Sequence, residues 1–148
     1  MDYETYKIIS LPVQSEINEK IDLLYGNILL LINKNIETIK QLVLDPYFVF
    51  LDRNHSPLEK FQRSSLSLFK VGSTTVYFEV MTGKFVTYDY DSEFNIYMPN
   101  DVTDQIPKFL YLEPELYETI VHLVGLDGIL QEAYNFKQQT LTTINTLI

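Results

Sequence analysis

Three carboxylates at alternate positions, Asp89, Asp91 and Glu93, come nearer than any other residues of the chain to the spacing of a chemical site. Hard oxygen ligands with this spacing begin the calcium loop of an EF-hand. Counted from Asp89, however, the sixth residue is Phe94 where that loop needs glycine, and the twelfth is Asn100 where it needs glutamate. Neighbouring acids on one strand also do not face each other across a substrate, as a glycosidase pair must. The spacing therefore favours neither a metal site nor a hydrolytic site.

The other residue types on which catalysis depends are scarce. The chain has no cysteine, so it has no thiolate nucleophile and no thiolate zinc ligand. Its two histidines, His55 and His122, lack both a cysteine set and a histidine four residues away with which to hold zinc. None of the five glycines forms a dinucleotide-binding or phosphate-binding loop. We therefore expect no enzymatic activity, no metal and no cofactor.

The composition is that of a globular protein, and its charge restricts the class of partner. The chain has 148 residues, of which 46% are hydrophobic and 21% charged, and a formal net charge of −9. This charge repels nucleic acid and anionic lipid and attracts a basic protein. The acidic N-terminus predicts no secretory signal, and the longest aliphatic run, residues 28–32, is too short for a membrane span. Together with the missing cysteine, these features favour the cytoplasm.

Helical spacing marks the N-terminal third of the chain. Apolar residues recur every three or four positions from residue 15 to residue 44, namely Ile17, Ile21, Leu24, Ile28, Ile32, Ile36, Ile39 and Val43. Pro12 and Ser15 predict the beginning of this helix, and Asp45-Pro46 its end. Gly26-Asn27 leaves open a kink or a division into two helices. We expect the apolar face to pack against a sheet or against a second copy of the chain.

The middle of the chain predicts an antiparallel β-meander of four to five strands. Gly72-Ser73, Thr82-Gly83 and Asp91-Ser92 are short enough for hairpin turns. A short helix is expected at residues 56–63, and Pro99-Asn100-Asp101 is expected to end the sheet. The predicted strands are residues 47–51, 66–71, 74–81, 84–90 and 93–98.

Helices are predicted again after the sheet. A short helix is expected at residues 103–111, and a second one begins at Pro114 and stops at Gly125. The apolar stripe of a final amphipathic helix consists of Ile129, Ala133, Phe136, Leu141, Ile144 and Ile148. No repeat or linker divides the chain. The prediction is one α+β domain, residues 1–148, with helical regions 1–46 and 99–148 packed against a sheet in residues 47–98.

Acidic and aromatic residues coincide in the second half of the chain. Between Phe85 and Glu118 there are eight acidic residues and one base, Lys108, so this stretch holds seven of the nine net negative charges. Tyr88 and Tyr90, two apart on a strand, share one face, and each hydroxyl needs water or a partner. Core aromatics alternating with solvated acids would give the same pattern, but we favour an interface. The predicted partner-binding residues are Tyr88, Asp89, Tyr90, Asp91, Glu93, Tyr97, Asp101 and Asp104.

The order of short motifs through residues 47–117 is a second source of expectations. The motifs are the aromatic run 47–51, Leu68-Phe69-Lys70-Val71-Gly72, Val76-Tyr77-Phe78-Glu79-Val80, the turn Thr82-Gly83-Lys84 with the strand 85–89, and Ile106-Pro107-Lys108-Phe109-Leu110. In this order they resemble the SUKH superfamily of bacterial toxin-immunity proteins over about half of the chain. The resemblance implies an α+β fold, no enzymatic activity, cytoplasmic residence and tight binding to a cognate toxin domain, often a basic nuclease.

Two classes of function follow from these observations. In the first, the chain is an immunity protein whose carboxylates take the place of nucleic acid phosphates in a basic toxin site. In the second, it is a phage or viral accessory protein that blocks a host nucleic-acid-binding factor, or an assembly subunit that uses its helices. A homodimer through the helices is compatible with either. An enzyme acting on a small ligand is a third hypothesis, which the residue types do not favour.

Overall fold

A computed structural model describes residues 1–44 and 65–148. It has the predicted α+β arrangement, with one long N-terminal helix, an antiparallel sheet and C-terminal helices. The predicted strand 47–51, the predicted helix 56–63 and His55 lie outside the described residues. The elements are α1 (Tyr3–Leu44), β1 (Ser65–Val71), β2 (Thr74–Glu79), β3 (Lys84–Asp91), β4 (Ile96–Asp101), a 3-10 helix (Thr103–Gln105), α2 (Ile106–Leu112), α3 (Leu116–Val124) and α4 (Leu126–Leu147).

Helix α1 is longer than the sequence predicted. It runs for 42 residues, about 63 Å, and is continuous through Gly26-Asn27. The prediction that it begins near Ser15 was wrong, because Asp2 caps it and Pro12 lies inside it: the Thr5 amide donates to Asp2 Oδ1 at 2.8 Å. This hydrogen bond also lowers the pKa of Asp2. Proline removes one helical hydrogen bond, and the turns on either side of it remain helical.

The predicted apolar face of α1 is buried or partly buried from Ile17 onward. Ile28 and Ile39 are fully buried, and the ring of Tyr25 lies 6.2 Å from the ring of Phe85 on β3. Asn35 is a buried polar residue on the same face, and its amide nitrogen donates to the backbone carbonyl of Val124 at 3.0 Å. That bond satisfies a group whose burial without a partner would be costly. Helix α1 therefore joins the sheet and α3 into one core.

The sheet is a meander in the order β1-β2-β3-β4, with every neighbouring pair antiparallel. Gly72 and Gly83 have φ values of 63° and 72° in the two short turns, a conformation that favours glycine. Strand β4 begins three residues later than the predicted 93–98, because Ser92 to Asn95 form the last turn and Asn95 takes a φ of 52°. Pro99 lies within β4 and does not end the sheet. An edge strand tolerates proline since one of its sides needs no ladder partner.

The C-terminal helices differ in how they pack. α2 and α3 contact α1 and bury Ile106, Leu110 and Ile120. Helix α4 contacts α3 and α1, but Leu141, Ile144 and Ile148 of its predicted apolar stripe are exposed. The second half of the predicted apolar stripe is therefore exposed to solvent. None of the helices within residues 1–44 and 65–148 has a segment apolar enough and long enough to cross a bilayer.

Candidate protein-binding site

The β3–β4 hairpin extends beyond the part of β3 that pairs with β2, which ends at Val86. At its inner end Phe85, Val86 and Thr87 are buried. From Asp89 onward the strand is largely exposed, and on β4 Ile96 and Met98 are 46% and 48% exposed. Since adjacent residues of a strand point to opposite faces, solvent reaches both faces of this outer half. We refer to residues 89–98 as the outer hairpin.

One face of the outer hairpin carries a pair of tyrosines. Tyr90 is paired with Tyr97 across the two strands, and their ring centroids are 5.2 Å apart. The Tyr90 ring is 53% exposed, and its hydroxyl donates to the side chain of Asn95. The two rings therefore form a supported aromatic surface. The prediction that Tyr88 and Tyr90 share one face is confirmed by the strand register.

Tyr88 lies on that face but points its hydroxyl back into the sheet. The hydroxyl is 2.6 Å from Ser65 Oγ and donates to Glu79 Oε2 at 3.2 Å, and the ring packs edge-on against Tyr77 at 5.2 Å. Partial burial raises the pKa of Tyr88 to about 12, and the nearby carboxylate of Glu79 adds to the increase. Its hydroxyl is thus already engaged within the protein, and Tyr88 connects β1, β2 and β3.

The opposite face combines carboxylates with apolar side chains. Asp89 is paired with Met98 and Asp91 with Ile96, so each acid on β3 lies beside an apolar residue on β4. Phe94, at the turn, is 65% exposed. Ile96 and Met98 were missed in the sequence, although their spacing of two on a strand beside Asp89 and Asp91 was a usable signal. The prediction rested on tyrosines and charges, and neither residue is of those types.

The turn itself is shaped by an acid. Asp91 Oδ1 accepts a hydrogen bond from the backbone amide of Glu93 at 3.0 Å. This contact holds the turn in place and leaves the Glu93 side chain exposed at the tip. Glu93 therefore belongs to the outer hairpin together with Asp89 and Asp91.

Asp101 and Asp104 lie away from the turn, towards α1. Asp101 Oδ1 accepts a hydrogen bond from the Thr103 amide at 2.9 Å, and the two hydrogen bonds from Thr103 lower the pKa of this carboxyl. Lys84 Nζ is 3.7 Å from Asp101 Oδ2. Burial raises the pKa of Tyr25 on α1, and the charges of Asp104 and Asp101 raise it further. These two acids therefore lie near Tyr25, at the other end of β4 from the turn.

The eight predicted residues thus fall into three groups and not onto one surface. Tyr88, Tyr90 and Tyr97 share one face of the sheet. Asp89 and Asp91 lie on the other face, with Glu93 at the turn between the strands. Asp101 and Asp104 are remote from the turn. The outer hairpin brings together five of the eight, Asp89, Tyr90, Asp91, Glu93 and Tyr97, and adds Phe94, Ile96 and Met98.

This arrangement suits contact with another protein. Exposed tyrosine, phenylalanine and methionine supply apolar contact area, and the carboxylates supply charge complementarity. Within the parts of the chain that the structure describes, no three histidine or acidic side chains are grouped so as to hold a metal ion. No protein-family model, no curated protein and no solved structure matches this chain.

Proposed function

We propose that this chain is a non-enzymatic protein-binding domain that inserts its outer hairpin into a basic site on a partner protein, as an immunity protein does when it neutralises a toxin. The observation that carries the proposal is that the β3–β4 hairpin continues past its pairing with β2 and has exposed side chains on both faces. The two strands of a hairpin lie about 5 Å apart, so the hairpin is narrow enough to enter a groove. Contacts on both faces are then available at once.

The charges of the hairpin suit a cationic groove. Asp89 and Asp91 are two residues apart on one face, a separation of about 7 Å along the strand. Two lysine or arginine side chains of a partner can therefore each contact one carboxylate. The Tyr90–Tyr97 pair on the opposite face offers rings that are already packed together, so binding costs them little rotamer entropy.

A basic nuclease is the partner class that this surface and the sequence resemblance support together. Such an enzyme binds phosphates with cationic side chains, and carboxylates held in the same groove would exclude the nucleic acid. The chain's own net charge of −9 disfavours binding to the nucleic acid itself. The proposed setting is the cytoplasm, where a toxin-producing cell must protect its own nucleic acid.

The test compares two double charge reversals in the full chain. The partner is sought first as the product of the neighbouring gene and by pull-down from the native organism. Asp89→Lys with Asp91→Lys changes the outer hairpin, and Glu16→Lys with Glu19→Lys makes the same change of net charge on exposed positions of α1. We expect the hairpin variant to associate at least about tenfold more slowly, with a weaker dependence on salt. Stopped-flow association between low and physiological ionic strength measures both effects.

The helix variant should retain most of the wild-type association rate, since its charges lie outside the proposed site. Tyr90→Ala should act mainly on the dissociation rate, because a contact residue is released only when the complex opens. Equal effects of the two charge reversals, or binding that is insensitive to both, would show that the partner binds outside the outer hairpin and would refute the proposal.

A second candidate function, an assembly subunit, is favoured by the first turns of α1. Tyr3, Tyr6, Ile9 and Val13 are exposed apolar side chains that follow one another at intervals of three, three and four residues, so they share one side of the helix. An apolar helical face without a partner fits packing against another helix. In this role the chain, alone or as a homodimer, would bind through its helices. Val13→Asp would then abolish partner binding, whereas the reversal of Asp89 and Asp91 would leave it unchanged.

A further inference from the structure

Helix α4 carries a second exposed surface, which is independent of the hairpin. Along this helix Leu130, Tyr134, Lys137, Leu141, Ile144 and Ile148 follow one another at intervals of four, three, four, three and four residues. These intervals are those of the a and d positions of a coiled coil. All six side chains are exposed. We refer to these six residues as the α4 seam.

The charge of this segment indicates what covers the seam. The chain has a net charge of −9, yet Lys137 is the only charged side chain among residues 133–148. Two copies can therefore approach through this surface without bringing carboxylates together, as they would across most of the remaining chain. A basic partner, in contrast, would find no acidic group there to complement it. The occupant best matched to the seam is a second copy of α4.

The position of Lys137 selects the orientation of the two helices. The spacing of the seam is symmetric about Gln139, so antiparallel pairing sets Leu130 beside Ile148, Tyr134 beside Ile144 and Lys137 beside Leu141 of the second copy. A parallel pair in register would place the two Lys137 ammonium groups against each other. A charged residue at one seam position costs stability and specifies the arrangement.

We propose that this protein forms an antiparallel homodimer through the α4 seam, with its twofold axis crossing the seam at the level of Gln139 along the helix. The five apolar seam side chains are between 46% and 97% exposed, so complete pairing of two copies buries on the order of 1,000 Å², which is at the lower limit for a specific interface. We therefore expect weak dimerisation, with a dissociation constant in the micromolar range. This inference does not rest on the function of the hairpin.

Sedimentation equilibrium of the full chain and of matched variants tests the seam. Leu141→Asp adds a charge within the seam, and Gln139→Asp adds the same charge on the opposite side of α4. We expect Leu141→Asp to raise the dissociation constant at least about tenfold and Gln139→Asp to change it by less than about threefold. Lys137→Leu should lower it, because it removes the ammonium group from the interface. Circular dichroism checks that each variant remains helical.

The orientation is tested on nearly wild-type protein, because the chain contains no cysteine and single labels are unambiguous. Spin labels at Gln138→Cys lie close together across the axis, and those at Gln131→Cys lie roughly 24 Å apart along it in the antiparallel pair. A parallel pair would give two similar distances.

Three results would overturn the proposal. They are a monomer at every concentration up to the millimolar range, equal effects of Leu141→Asp and Gln139→Asp, or two equal spin-label distances. If Tyr6→Asp, on the exposed first turns of α1, weakened dimerisation as much as Leu141→Asp, then α1 would be the occupant and the α4 pair would also be refuted.

Discussion

The inner and outer parts of the sheet have the same alternation of side chains but differ in what covers them. In the inner part, Tyr77 and Phe78 are neighbours on β2 that point to opposite faces, and both are buried. In the outer hairpin, Asp89 and Tyr90 are also neighbours on opposite faces, and both are exposed. Alternation therefore assigns a side chain to a face. Whether that face is buried depends on the elements that lie over it.

A charge placed on the part of α1 that packs over the inner sheet should lower the free energy of unfolding more than any other change considered below. Ile28 is fully buried on α1, so Ile28→Asp would desolvate a carboxylate without a partner and should cost roughly 5 kcal/mol of unfolding free energy. Leu30, two residues later, is 68% exposed, and Leu30→Asp should cost less than about 1 kcal/mol. Urea unfolding measures both. Similar losses for the two variants would show that α1 is not packed as described.

Truncation of two phenylalanines compares the sheet regions directly. Phe85 is fully buried between Tyr25 and Phe78, and Phe85→Ala should cost about 3–4 kcal/mol because it leaves a cavity. Phe94→Ala removes the same ring from the exposed turn and should leave the unfolding midpoint nearly unchanged. Thermal and urea unfolding check the pair. A marked loss for Phe94→Ala would mean that the turn is covered.

Removal of the hydroxyl group should cost more stability at Tyr88 than at Tyr90, the other tyrosine of the outer part of β3. Tyr88→Phe leaves Ser65 and Glu79 without their hydroxyl partner and should cost about 1 kcal/mol. Tyr90→Phe removes an exposed contact to Asn95 and should cost less than about 0.5 kcal/mol. Chemical unfolding under identical conditions makes the comparison. Equal costs would contradict the inward orientation of the Tyr88 hydroxyl.

The smallest expected effect is a dependence on pH. Folding raises the pKa of Tyr88 from the ordinary 10.0 to about 12, so the folded state favours the neutral phenol. The stability from this group is complete below about pH 10 and is lost as the pH rises through about 12. Because the side chain is only partly buried, we expect a loss of no more than about 1 kcal/mol. The fall in stability over this interval should be smaller in Tyr88→Phe, and an identical fall would exclude Tyr88 as its cause.

The parts of the fold that were predictable are those with local signals. Gly72 and Gly83 marked the two short turns, and Gly125 marked the end of α3. The predicted beginning of α1 at Pro12 and Ser15 is misplaced because the helix continues through Pro12 to a cap at Asp2. The start of β4 was misplaced because residues 92–95 form a turn with Asn95 at positive φ. The end of the sheet was misplaced because Pro99 is tolerated in an edge strand, and a strand's place in the sheet is not a local signal.

The candidate site was predicted in composition but not in geometry. By itself the sequence determined the α+β class, the apolar stripe of α1, the meander and the face shared by Tyr88 and Tyr90, because each follows from a period of two or of 3.6 residues. Only the tertiary structure decided that the Tyr88 hydroxyl forms a hydrogen bond with Ser65, that Tyr90 remains exposed, and that the α4 seam is exposed to solvent. These outcomes depend on contacts between residues far apart in the chain, and periodicity carries no information about such contacts.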